Sequence, residues 1–190
     1  MSDQPDFKEW EPVARFNRTA IITEKIDGTN GVVYVGEDGV VLAGSRSRWI
    51  TTEADNFGFA RWVKEHEDEL RVGLGAGYHY GEWWGSGIQR GYGLTKGEKR
   101  FSLFNTHRWS DERGVRPTCC SVVPVLKITS SGLSRQVDIA LADLARDGSR
   151  AAPGFMKPEG VVIYHTASKA LYKVTIEKDE MPKSMIQGAP

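Results

Sequence analysis

The sequence predicts an α+β domain in which antiparallel β-sheets are flanked by a few helices. Three observations carry this expectation. Short β-patterned segments bounded by Gly, Asp and Asn recur along the chain; only two stretches place apolar residues at helical spacing; and no repeat or low-complexity linker divides residues 1–190, so one domain is expected.

The elements follow in order. Ala20 to Ile26 (AIITEKI) and Asn30 to Val35 (NGVVYV) read as strands joined by a tight Asp27-Gly28-Thr29 turn. Glu37-Asp38-Gly39 is a second hairpin signal, leading into VVLAGSR at 40–46. Residues 56–70 (NFGFARWVKEHEDEL) carry a helical pattern in which Phe59, Trp62 and Val63 share a face, with Thr51, Thr52 and Asp55 ahead of it as caps. Residues 77–84 (GYHYGEWW) alternate as a strand and lead into a glycine- and base-rich loop over 85–100. Residues 100–109 (RFSLFNTHRW) and 121–128 (SVVPVLKI) read as strands, and Ser134 to Arg146 as a second helix with Val137, Leu141 and Leu144 on one face. Strands at 159–165 (EGVVIYH) and 170–176 (ALYKVTI) close the pattern, and 181–190 is a frayed terminus.

Hydrophobic residues make up 39% and charged residues 26%, the proportions of a soluble globular protein. The 25 basic and 25 acidic side chains cancel, so any phosphate-binding surface must be local. Cys119 and Cys120 are adjacent and cannot build a disulfide framework or a four-thiolate metal site, so a reduced, cytoplasmic setting is expected. The polar, acidic N-terminus is no signal peptide, and no apolar run approaches the roughly 18 residues a bilayer span needs, so no membrane partner is expected.

Chemistry concentrates in Glu24-Lys25-Ile26-Asp27-Gly28-Thr29-Asn30. Strand alternation sends Lys25 and Asp27 to one face. A lysine there becomes a nucleophile when burial or nearby cations lower its pKa. Behind it, in order, come Ser45-Arg46-Ser47-Arg48, Tyr80-Gly81-Glu82-Trp83-Trp84-Gly85, Phe101-Ser102-Leu103-Phe104-Asn105, Lys157-Pro158-Glu159-Gly160-Val161-Val162-Ile163-Tyr164 and Leu171-Tyr172-Lys173-Val174.

This ordered series resembles motifs I, Ia, III, IIIa, IV and V of the covalent nucleotidyltransferase superfamily, which holds the polynucleotide ligases and the mRNA capping guanylyltransferases. The resemblance runs from about Ile22 to about Lys178, and the EKIDGTN form is most similar to the RNA ligase 2-type branch of ATP-dependent RNA ligases. It implies an adenylyltransferase domain, an ATP-grasp-like ligase core without an appended C-terminal domain. It also implies that ATP and Mg²⁺ (or Mn²⁺) are cofactors, and that 5′-phosphate and 3′-hydroxyl RNA ends, nicked duplex among them, are partners. Lys25 would take AMP from ATP, pass it to the 5′-phosphate, and the 3′-hydroxyl would then displace it.

Roles follow from the same resemblance. Arg46, with Arg48 as the alternative, clamps phosphate through its planar guanidinium. Glu82 contacts the ribose; Glu159 binds the metal through water; Glu24 reads the adenine edge; Ile26 and Asp27 line the nucleotide with Lys25. Asn30 is a polar contact or a turn residue. Phe101 is the ring stacked on adenine, with Phe104 the alternative, because alternation gives one of them to the pocket and the other to the core. Lys173 supplies the motif V charge that tunes Lys25.

Two features depart from the family. The second motif V lysine is replaced by Thr175, for which Lys169 or Lys178 would have to compensate, and Asp27 stands where some RNA ligase 2 relatives have histidine. The chain ends soon after motif V, which leaves end recognition to the core surface or to a partner protein. Arg90, Lys96, Lys99 and Arg100, with Tyr92 among them, suit a nucleic-acid backbone or the β- and γ-phosphates. The four histidines lack metal-ligand spacing and are expected to be structural. A minimal DNA ligase fits the same motifs. A capping guanylyltransferase fits EKIDGTN and EGVVIY less well, and a non-catalytic end-binding protein would have no need of Lys25, Glu82, Glu159 and Lys173 together.

Overall fold

β1 (Ala20–Lys25) alternates strictly, with Ala20, Ile22 and Glu24 inward, and ends on Lys25. The computed structural model describes residues 6–110 and 116–177; the tail at 181–190 and Lys178 lie outside them. β1 sits centrally in a four-stranded antiparallel sheet between β9 (Gly160–His165) and β8 (Val125–Thr129), with β10 (Ala170–Thr175) beyond β9. A second, six-stranded sheet runs β4 (Trp49–Ile50), β3 (Val41–Gly44), β2 (Thr29–Val35), β5 (Gly77–Gly85), β6 (Lys99–Leu103), β7 (Cys120–Val122). Its neighbours are antiparallel except β6 and β7, which run parallel.

Each sheet buries one face. The four-stranded sheet packs Ala20, Ile22, Val161 and Ile163 against Val137, Ala140 and Leu144 of α4 (Leu133–Asp147). The six-stranded sheet packs Val33, Val35, Trp83, Phe101 and Leu103 against Phe59, Ala60 and Val63 of α1 (Phe59–Glu65) and Leu70 and Leu74 of α2 (Glu67–Leu74). The chain crosses between the sheets at Ile26–Gly28 and again at Val123–Pro124. A small third core joins both crossings, where Ile26 and Val123 meet Trp84, Tyr92 and Ala152. The opposite faces of the two sheets are left for the site. No helix among the described residues is long and apolar enough to cross a membrane.

Four expectations change. The Asp27-Gly28-Thr29 segment closes no hairpin, because β1 pairs with β8 and β9 while β2 pairs with β3 and β5, so the turn carries the chain from one sheet to the other. The helix expected over 56–70 is two, broken at His66 (φ −110°, ψ 17°), whose Nδ1 hydrogen-bonds the Trp62 carbonyl at 2.9 Å. Asp55 does cap α1, accepting from Ala60 N–H at 2.8 Å and Arg61 N–H at 3.1 Å. The strand expected over 100–109 stops at Leu103, because Asn105 accepts the Arg108 N–H at 3.0 Å and starts a short helix, α3 (Thr106–Trp109). The strand expected over 121–128 divides between the two sheets. Pro124 has no N–H for a ladder, and its carbonyl accepts Glu24 N–H at 2.9 Å.

Strand alternation settles the two phenylalanines. Phe101 is fully buried on the helix side, with its ring centroid 5.0 Å from Phe59 and 5.6 Å from Trp62. It therefore has no ring face for adenine, contrary to its expected stacking role. Phe104 is 41% exposed on the opposite side. Phe101→Ala should accordingly cost about 3–5 kcal/mol in urea unfolding, and Phe104→Ala about 1 kcal/mol or less; equal costs would contradict this assignment of faces.

Candidate active site

Lys25 is the last residue of β1, and its register partner on β9 is Gly160, the residue after Glu159. That pairing brings Lys25 Nζ to 2.5 Å from Glu159 Oε2, with the two side chains 18% and 5% exposed. The chain then crosses to the second sheet, where Gly28 N–H donates to Glu82 Oε1 at 3.0 Å and Asn30 Nδ2 to Glu82 Oε2 at 3.4 Å. Gly28 must be glycine on steric grounds: a Cβ would stand 2.4 Å from the Trp83 carbonyl oxygen and 3.0 Å from Glu82 Cγ. Lys25, Glu159, Glu82 and Asn30 thus gather where the sheets meet.

Burial pushes the Glu82 carboxyl up to about 7. The Lys25 charge and the Gly28 N–H oppose that rise, while Glu159 and Asp27 reinforce it. The acidic side chains outweigh the lysine, so the centre is short of positive charge. The described residues include no cluster of three or more His, Cys, Asp or Glu able to enclose a metal. Glu82 and Glu159 instead fit a hard divalent cation that takes its remaining oxygens from phosphate and water.

The surrounding residues brace this centre. Asp27 pairs with Arg90 (Oδ2 to Nε, 3.1 Å), and Arg90 also donates to the Lys157 carbonyl at 3.0 Å, tying the lysine segment to the Glu159 segment. Tyr92 is 2% exposed; its hydroxyl accepts Asp27 N–H at 3.0 Å and donates to the Lys25 carbonyl at 3.4 Å. Burial raises its phenol above the ordinary range and keeps it neutral. Arg90 and Tyr92 are therefore struts rather than the nucleic-acid contacts expected of the 85–100 loop, and Arg100 pairs with Glu98 at 2.6 Å. Pattern reading missed these braces. The one signal was Gly91-Tyr92-Gly93, whose glycines frame a tight turn with Tyr92 at φ 51°.

Two expected ligands are structural. Glu24 faces away from Lys25 and is 1% exposed; its carboxylate accepts from Ser149 Oγ at 2.6 Å, Arg150 N–H at 2.7 Å and Ala151 N–H at 2.9 Å. Its carboxylate is enclosed on the packed side of the sheet, away from the side on which it was expected to read an adenine edge. The Ile26 side chain is 4% exposed in the third core and offers no nucleotide surface. His66, His79 and His165 each spend a ring nitrogen on a backbone carbonyl.

The RNA ligase family model matches residues 18–175. The chain belongs to the RNA ligase family. Its fold is similar to that of an RNA ligase from Naegleria gruberi. A variant of that protein with ATP and manganese superposes with a TM-score of 0.62 at 22% identity, over 85% of this chain and 50% of that one. A second variant, with AMP and manganese, gives 0.62 at 20% identity over 91% and 52%. The form with pyrophosphate gives 0.61 at 19% identity over 84% and 50%. This chain spans about half the length of those structures. No curated protein sequence matches it.

In this RNA ligase domain the register locates the remaining candidates. Gly160 pairs with Lys25 on one side and Thr175 on the other, so Thr175 occupies the Lys25 row. Lys173 pairs with Val162, one step along the same face and exposed. Lys169 lies in the β9–β10 turn, at the far end of that hairpin from Lys25, too remote to stand in for a motif V lysine. Arg46 is exposed at the β3–β4 turn. The last β2–β3 pair is Val32↔Gly44, so Arg46 lies just beyond the paired rows, in the turn that the Ser45 N–H closes onto the Arg48 carbonyl.

Glu82 also gives a test in the free protein. Its ordinary value is 4.5 and its folded value about 7. Between these the folded chain keeps a proton that the unfolded chain has lost, so stability falls as pH rises through that window. Wild type should lose at most on the order of 3 kcal/mol relative to Glu82→Gln between pH ~5 and ~8, measured by urea unfolding of both. Parallel pH profiles would show that Glu82 is not the group titrating.

Proposed function

We propose that this domain is the nucleotidyltransferase core of an ATP-dependent ligase that joins 5′-phosphate to 3′-hydroxyl RNA ends through a lysyl-AMP. The observation that carries the reading is Lys25, fixed at a strand end against Glu159 and beside Glu82, in a chain of the RNA ligase family. The ATP, AMP, pyrophosphate and manganese of the Naegleria structures support the nucleotide and the metal.

Lys25 Nζ, which donates to Glu159 Oε2 in the free site, attacks as the neutral amine after its proton passes to water. The amine then bonds to the α-phosphorus, the bond to the bridging oxygen breaks, and pyrophosphate leaves with that electron pair. An oxygen of the RNA 5′-phosphate next attacks the same phosphorus, and the P–N bond breaks as the leaving nitrogen takes a proton from water and returns as the lysine amine. Finally the 3′-hydroxyl attacks the 5′-phosphorus, giving its proton to water, and the bond to the AMP oxygen breaks so that AMP leaves with that electron pair. A divalent cation bound by Glu159, with Glu82 beside it, would supply positive charge to the phosphates. Glu82 and Asn30 orient the ribose, and Asp27 holds Arg90 so that the lysine and Glu159 segments stay together. Arg46 and Lys173 offset charge on the phosphates from opposite sheets, interactions that count most where the charge develops. Phe104, rather than Phe101, is the exposed ring for the adenine.

Incubation with α-labelled ATP or GTP and Mg²⁺ should give label from ATP that survives denaturation and is absent in Lys25→Ala. Lys173→Ala should slow labelling about a hundredfold. No label from either nucleotide would sink the reading, and label persisting in Lys25→Ala would remove the nucleophile. Nicked RNA, nicked DNA and single strands offered to the labelled protein then distinguish an RNA from a DNA ligase.

A further inference from the structure

The sheet face that carries Glu82 continues beyond the reacting groups as a field of exposed rings. Alternation puts Tyr34 of β2 and Tyr78 and Tyr80 of β5 on that face, with Val33 and His79 pointing to the helix side. Register sets Tyr34 opposite Tyr78, and Val32 opposite Tyr80. Trp49 of β4 joins them across Gly44, over which its indole lies; a Cβ at Gly44 would come 3.2 Å from the ring. Ring centroids are 4.7 Å apart for Tyr34 and Tyr78, 6.0 Å for Tyr34 and Trp49, and 6.3 Å for Trp49 and Tyr78. Tyr78 and Tyr80 are 6.2 Å apart and nearly coplanar in orientation, at 13°. Trp49, Tyr78 and Tyr80 are 49%, 56% and 55% exposed.

Exposing this much aromatic surface in a contiguous row costs apolar hydration, and the core does not need these rings. Their surroundings identify what suits them. No charged side chain shares the rows of Val32, Tyr34, Tyr78 and Tyr80, while Arg46 and Arg48 stand exposed at the β3–β4 turn beside Trp49. The row is continuous with Glu82: Tyr80 lies roughly 7 Å and Tyr78 roughly 13 Å from it along β5. Flat rings bordered by arginines, starting at a phosphoryl-transfer centre, match unpaired nucleobases on a phosphate backbone. A protein partner would be better served by an apolar groove than by this flat row.

We propose that Trp49, Tyr34, Tyr78 and Tyr80 form a stacking platform for the bases of an unpaired RNA segment adjoining the end to be joined, with Arg46 and Arg48 on its phosphates. The proposal rests on the ligase reading for its choice of RNA end, and gives the domain its own means of holding the strand.

The test uses fluorescein-labelled, 5′-phosphorylated single-stranded RNA of about ten nucleotides and an abasic strand with the same backbone, followed by anisotropy. Wild type should bind the RNA at least about tenfold more tightly than the abasic strand. Trp49→Ala and Tyr78→Ala should each lose most of that preference, whereas Trp49→Phe and Tyr78→Phe, which keep a ring, should retain it and show that the fold is intact. Equal binding of the two strands by wild type would overturn the platform. So would alanine variants that bind RNA as wild type does. If the alanine variants instead dissolve a self-associated form in sedimentation while RNA binding stays unchanged, the face is a protein interface and the proposal falls. Label transfer from ATP to wild type is measured alongside: label with ring-independent RNA binding removes the platform alone, and ring-dependent binding without label removes the ligase reading alone.

Discussion

Glu159, buried, and Glu82, half-buried, share one lysine, and the remainder of the site is arranged to tolerate that. Taking an ionised carboxylate out of water costs several kcal/mol unless a counter-charge and hydrogen bonds replace the lost solvent. Lys25 meets that need for Glu159 by direct contact at 2.5 Å. Glu82 receives the Gly28 N–H, a long bond from Asn30 Nδ2 and the more distant field of Lys25, which do not match the cost of its burial, and its carboxyl is raised to about 7. A centre balanced in this way gains stability from whatever brings in positive charge.

Holding that centre together is a matter of two adjacent residues used oppositely. Lys25 points to the open side and Glu24 to the packed side, as β alternation requires. Glu24 spends its carboxylate on Ser149, Arg150 and Ala151, so the segment after α4 is pinned beneath the strand whose end carries Lys25. Tyr92 and Arg90 fasten the crossing from the other side, through the Asp27 main chain and side chain. Lys25 is long and flexible, but its stem leaves a backbone fixed on both faces, which limits where its amine can reach.

The strands were legible where period-two alternation was clean, as in Ala20–Lys25 and Gly77–Gly85. It failed where one side chain overruled the pattern: Asn105 capping a helix inside an apparent strand, and Pro124 diverting the chain to another sheet. Within the site, motif order identified Lys25, Glu82 and Glu159 as neighbours, and the register brings them together. Order could not say which way a side chain faces in its tertiary setting. Glu24, Ile26 and Phe101 were therefore assigned to the nucleotide, although packing claims all three. The open face also carries information that no motif held, since Tyr34, Trp49 and Tyr78 come from three strands and become a surface only after pairing.

The substitution at Thr175 can be weighed in the same geometric terms. Thr175 lies in the Lys25 row, and its hydroxyl donates to the Glu177 carbonyl at 2.9 Å, so a neutral group ends β10 where the family has a second cation. Lys173 is two strands across and two residues along from Lys25, about 12 Å between Cα atoms at standard strand spacing. Both amines sit on flexible four-carbon stems and can converge only over the residue between them, Val162. That floor is open, with Lys173 exposed and Val162 only half-buried, so charge carried there by Lys173 is screened by water and counts for less than the close Lys25–Glu159 contact.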